Sequence, residues 1–141
     1  MQNIPKKVEI IIEALQAKKG RDIITLEMIE VMAATDYMVI CTGENPPQIR
    51  ALAGHVEMSL REFGRRPMSI QGLNNAKWVL IDYGDVLVNI FDDEYRKYYE
   101  LEKLWLDAPR RVESDAKQIE RPAGSQTMRL EKGTPKGTLD V

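Results

Sequence analysis

Trp78-Val79-Leu80-Ile81-Asp82-Tyr83-Gly84-Asp85-Val86-Leu87-Val88-Asn89-Ile90-Phe91 reads as two β-favouring runs joined by a tight link. Branched and aromatic side chains suit a pleated, half-buried surface, and Tyr83-Gly84 is short enough to make 78–82 and 86–91 an antiparallel hairpin. Upstream, Tyr37-Met38-Val39-Ile40-Cys41-Thr42 is almost continuously apolar. Such a run predicts a strand covered on both faces, so helices must lie on a sheet.

The flanking segments supply those helices. Val8, Ile11, Ile12 and Leu15 recur at helical spacing between Pro5 and Gly20, which predicts a helix over 5–19. Asn45-Pro46-Pro47-Gln48 places a capping Asn before two first-turn prolines, with Gln48 at the capping-box position. A helix over 46–63 follows, buried through Ile49, Leu52, Ala53, Val56, Leu60 and Phe63 and ended by Gly64. Asp22–Leu26 and Met68–Gln71 read as further strands, and 94–105 as a last short helical stretch capped by Asp92 or Asp93. The order α-β-β-α-β-β-β-α gives an α/β domain, a mixed β-sheet flanked by helices.

Charge divides the chain of 141 residues near position 108. Residues 109–141 carry seven Lys/Arg and five Asp/Glu, six Gly/Pro and no aromatic residue, while 1–108 carry a net charge of −4 and all nine aromatics. We expect a domain over 1–108 and a disordered tail over 109–141, because the tail offers too little apolar surface to offset its ordering entropy. An acidic body argues against direct nucleic-acid binding, which needs phosphate-neutralising cations. No apolar run reaches the length of a membrane helix, and the N-terminus lacks a signal-peptide core. One Cys and one His leave too few soft ligands for a zinc or iron–sulfur site, and a lone thiol suits a reducing, cytoplasmic setting.

The densest functional signal is 78–107, which holds seven of the nine aromatics and eight acids against three bases. Trp and Tyr combine large rigid area with a polar handle, so this composition fits an aromatic, acidic contact surface for a basic protein. The competing reading is that the aromatics are core and the acids a solvated rim. Asp82 and Asp85 flank the hairpin turn and could converge on Mg²⁺ in a phosphoryl- or nucleotidyl-transfer enzyme, or simply serve the turn. Gly43-Glu44-Asn45 reads better as a helix cap than a phosphate cradle, since Pro46 and Pro47 remove two amide donors. His55 falls at a helix flank without a partner, and Cys41 lies inside an apolar strand as a small core residue. No nucleophile elbow, Walker-type loop or dinucleotide fingerprint occurs.

Three separate motifs carry a resemblance: Asp36-Tyr37-Met38-Val39-Ile40-Cys41-Thr42-Gly43, Trp78-Val79-Leu80-Ile81-Asp82-Tyr83-Gly84-Asp85-Val86 and Tyr99-Glu100-Leu101-Glu102-Lys103-Leu104-Trp105. In that order, over roughly residues 6–108, the chain resembles the ribosomal silencing factor family, also called Iojap-related. The resemblance implies a nucleotidyltransferase-like α/β domain without catalytic machinery; Glu44 stands where that fold's enzymes carry Ser. It also implies docking on the large ribosomal subunit, at the protein numbered fourteenth, so that the small subunit cannot join and translation falls when nutrients are scarce. Neither a cofactor nor a metal is implied.

Two positions depart from the family's habit, Asn89 for His and Gln71 for Glu. Residues expected at the contact are Trp78, Tyr83 and Trp105 as apolar anchors, with Asp82, Asp85 and Glu102 facing basic side chains of the partner, and Tyr99 and Leu101 beside them. Self-association as a homodimer is a further expectation, through a strand edge or the aromatic surface.

Overall fold

A computed structural model describes residues 3–115. Its elements are α1 (Lys6–Ala17), β1 (Arg21–Glu27), β2 (Tyr37–Thr42), α2 (Pro46–Glu62), β3 (Ser69–Gln71), β4 (Trp78–Asp82), β5 (Val86–Phe91), α3 (Asp93–Tyr99), α4 (Leu101–Leu104) and β6 (Arg110–Val112). The strands form one sheet in the order β3-β4-β5-β2-β1-β6. Only β2 and β5 run parallel; the other neighbours are antiparallel, so the sheet is mixed as expected.

The period-2 alternation of the strands divides the core in two. Tyr37, Val39 and Cys41 of β2, Val79 and Ile81 of β4, and Val86, Val88 and Ile90 of β5 pack under α1 and α2. Their alternates Met38, Ile40 and Phe91, with Leu87 and Trp78, face the other side, where Tyr95, Leu101 and Trp105 close over them. Every residue of β2 is buried, which accounts for its unbroken apolar run.

Local signals locate the ends of the long helices. Asn45 Oδ1 accepts from Gln48 N at 2.9 Å, while Gln48 Oε1 accepts from Glu44 N, one residue before the position a capping box would use. Gln48 Nε2 also donates to the carbonyls of Lys18 and Lys19 at 3.1 Å, tying the end of α1 to the start of α2.

Two expectations are corrected. The stretch 94–105 is not one helix: Glu100 takes the left-handed conformation (φ 47°, ψ 51°) and divides it into α3 and α4. The break lets Tyr95 and Leu101 with Trp105 all reach the same core cluster. The domain also runs past 108, because Arg110–Val112 pair with Leu26, Thr25 and Ile24 of β1 as an edge strand. Three residues in a strand carry too short a pattern to stand out from tail composition. Glu113 N continues the pairing with a bond to the Ile23 carbonyl at 2.9 Å, and the disorder expected for the tail falls, beyond 115, on residues outside those described. Among the described residues no helix is long and apolar enough to cross a membrane.

Candidate docking surface

The residues singled out from the sequence fall into two groups at opposite ends of β4. Trp78 and Asp82 are four residues apart on the strand, or ~13 Å at the usual rise.

At the first end an aromatic cluster forms. The Trp78 ring lies 4.9 Å from Phe91 and 4.7 Å from Tyr99, and Tyr99 in turn lies 5.6 Å from Tyr95 and 5.0 Å from Tyr98, centroid to centroid. The cluster is graded in depth. Phe91 is fully buried, Trp78 half-buried, Tyr99 40% exposed and Tyr98 79% exposed. The indole Nε1 donates to Asn89 Oδ1 at 2.9 Å, so a buried amide fixes the ring's orientation. Beyond it, Leu80, Gln71 and Gly72 line an open groove with Trp78. A side chain at Gly72 (φ 90°) would put its Cβ 2.0 Å from the Trp78 carbonyl oxygen, so only glycine fits beside the anchor.

Leu101 and Trp105 pack half-buried over the sheet, while Leu104 and Leu106 of the same segment are 65% and 76% exposed. Arg96 positions this segment from below. It is buried, its Nη1 donates to Thr42 Oγ1 at 2.7 Å, and its Nε stands 3.4 Å from Glu102 Oε1.

The second group is built for structure rather than contact. Tyr83 is 5% exposed, lies in the core under the helices, and burial followed by the charge of Glu57 pushes its phenol up to about 12. It offers no surface to a partner, which corrects its expected role: the turn it occupies folds back over the core. Asp82 Oδ1 accepts from Gly84 N at 2.7 Å and so closes the turn. Asp85 pairs with Lys7 through Oδ2 and with Arg65 Nη2 at 2.8 Å through Oδ1. Burial raises its pKa, but the hydrogen bonds and charges of Arg65 and Lys7 outweigh that and hold the carboxyl below its usual value. Glu102 is likewise turned inward to Arg96. The acids expected to meet a basic partner are therefore engaged within the fold.

The same geometry bears on metal chemistry. Both oxygens of Asp85 are held by cations, and among the described residues no group of three or more His, Cys, Asp or Glu side chains could hold a metal ion. His55 Nδ1 lies 3.0 Å from the Ala14 carbonyl and links α2 to α1. Cys41 is fully buried and its thiol is pushed up to about 12, chiefly by desolvation, so it is a core residue without a reactive thiolate.

Sequence reasoning missed Asn89 as the orienter of Trp78, Tyr98, Leu104 and Leu106 as exposed surface, Leu80 as a half-buried wall of the groove, and Arg96 and Arg110 as supports. Tyr98 and Leu104 lay inside the segment already flagged as aromatic and acidic. For Asn89 the signal was a lone polar residue in an apolar strand.

The family model described as ribosomal silencing factor during starvation matches residues 1–137. The ribosomal silencing factor RsfS of Bacillus subtilis is 38% identical over 102 residues, covering 72% of this chain and 86% of that protein. That of Chromobacterium violaceum is 37% identical over 97 residues, covering 69% and 80%. The mouse protein named mitochondrial assembly of ribosomal large subunit protein 1 is 27% identical, covering 70% of this chain and 44% of its own. A crystal structure of a Chromobacterium violaceum protein superposes with TM-score 0.71 at 36% identity, covering 74% of this chain and 87% of that one. One from Bacillus halodurans gives 0.65 at 34%, covering 71% and 93%.

Proposed function

This chain belongs to the ribosomal silencing factor family, and from that premise we propose that it docks on the large ribosomal subunit through the Trp78–Tyr99 face and keeps the small subunit from joining. The contact on the ribosome is its protein numbered fourteenth, and the mechanism is occlusion, with no bond made or broken. The name of the mouse relative, a large-subunit assembly protein, supports a large-subunit partner.

The observation that carries the reading is the graded aromatic cluster. Phe91 and Asn89 hold Trp78 and Tyr99 rigid from below, while Tyr98, Leu104 and Leu106 project into solvent. An aromatic anchor oriented by buried neighbours is how interface hot spots are built, because little side-chain entropy is lost on docking. An interface of standard size buries ~800 Å² on each side.

A gradient of purified subunits tests this. The protein should co-sediment with the large subunit and reduce the joined particle. Trp78→Ala should weaken binding at least ~30-fold, and Tyr98→Ala, which removes a ring 79% exposed and so leaves the fold intact, ~10-fold or more. Wild-type affinity in both variants would refute this face as the contact.

Electrostatic steering is modest on this geometry. Asp92, Asp93, Glu100 and Glu102 each have an internal cation, Lys77, Arg21, Lys103 and Arg96 respectively. The association rate should therefore change by less than about tenfold between low and physiological salt, unlike strongly steered pairs. Stopped-flow mixing across ionic strengths measures it.

The metal-dependent transferase reading loses its ligands to the Lys7–Asp85–Arg65 cluster and the Asp82 turn. Calorimetry with Mg²⁺ and nucleoside triphosphates should show no saturable heat.

A further inference from the structure

The segment 101–105 carries Leu101, Leu104 and Trp105, yet it has little reason of its own to hold a shape. A helix of four residues is far below the length that persists alone in water. Its N-cap, Glu100, makes no side-chain capping bond and sits in the left-handed region that non-glycine residues avoid. Its conformation must be imposed by tertiary contacts.

Leu101 and Trp105 pack on the core and Arg96 reaches the Glu102 side chain, while a second guanidinium grips the backbone of the segment. Arg110 Nη1 donates to the Glu102 carbonyl at 3.0 Å and Nη2 to the Trp105 carbonyl at 2.6 Å. The strand places it there: Arg110 pairs with Leu26, and Pro109 O accepts from Glu27 N at 2.8 Å. Alternation along β6 sends Arg111 to the opposite face of the sheet, where its Nε pairs with Glu113 Oε2 at 2.7 Å beside Glu9, Ile12 and Glu13 of α1.

We propose that Arg110 is a positioning residue of the docking face, a fork on the edge strand that holds the 101–105 segment in its binding shape without touching the partner. The role rests on the docking reading above. It also gives β6 a function beyond closing the sheet edge: the strand links the end of the domain to the contact segment. A lysine cannot replace the fork, because one ammonium on a flexible stem does not span two carbonyls in a fixed plane.

The test uses the full chain with Arg110→Ala, Arg110→Lys and Arg111→Ala, read by large-subunit binding and by amide hydrogen exchange. Arg110→Ala should weaken binding by about tenfold, and Arg110→Lys should recover only part of it. In Arg110→Ala the amides of Lys103 and Ala108, bonded to Glu100 O and Trp105 O, should exchange faster while those of β2 keep their protection. Arg111→Ala should change neither readout. The proposal is overturned if Lys103 and Ala108 exchange at the wild-type rate in Arg110→Ala, if protection falls equally across the sheet, or if Arg110→Ala binds as tightly as wild type. Failure of the wild-type chain to bind large subunits would sink the docking reading itself, a result distinct from normal wild-type binding with an indifferent Arg110→Ala.

Discussion

Asn89 lies in β5 opposite Leu80 on one side and Ile40 on the other, 2% exposed, with its carbonyl oxygen on the Trp78 indole proton. Its amide nitrogen has no hydrogen-bond partner among the described residues. The side chain is thus kept for one bond, and that bond decides which edge of Trp78 faces outward. An amide takes no charge near neutral pH, so the work of Asn89 is orientation. Asn89→Ala should leave the indole donor unpaired and lower stability by about 2 kcal/mol, seen as a fall in Tm. Asn89→His keeps a ring nitrogen that can accept the same proton and should retain large-subunit binding.

The α3–α4 break shows how an element can be shaped against its local preference. Asp92 caps α3 through Tyr95 N at 2.8 Å, and nothing in the sequence from 94 to 105 forbids a continuous helix. The turn at Glu100 persists because Arg96 from below and Arg110 from the edge strand hold Glu102 and Trp105 in place. Glu100 gains little in return, since its bond to Lys103 joins two side chains that are 46% and 66% exposed. Glu100→Gly should leave stability unchanged or slightly raised, and Glu100→Val, with a branched Cβ at positive φ, should lower it by about 1–2 kcal/mol. Chemical denaturation of the two variants side by side measures the strain.

At the scale of the whole molecule, Asp85 clasps three parts together. Its carboxylate binds Lys7 of α1 and Arg65 after α2, and its carbonyl accepts from Asp36 N and Tyr37 N at the start of β2. Because the folded pKa is depressed, the carboxylate's contribution is fully present above its unfolded value, about 4, and is lost as pH falls through the folded value. Asp85→Asn should cost about 1 kcal/mol at pH 7, in keeping with partly exposed pairs. The gap between wild type and variant should close below about pH 4 in urea titrations run across pH.

The layered α/β plan was legible because it is written in short-range periodicity: helical spacing in 8–15 and 49–60, an apolar run at 37–42, a two-run hairpin at 78–91. Such patterns report which side of an element meets water, and that follows from residue order. The family could be read in the same way, from three motifs in sequence. What residue order does not contain is who meets whom across the fold. Tyr83 and Trp78 look alike as aromatics five positions apart, yet one lies under the helices and the other on the opposite face. Asp85 and Glu102 read as free acids until Lys7, Arg65 and Arg96 arrive from 78, 20 and 6 residues away. The edge strand at 110–112 and the broken helix at Glu100 exist only because the sheet supplies a pairing edge and Arg110 a clamp. Burial and charge pairing over such separations are set by packing, so the identity of the surface was decided only when the chain closed on itself.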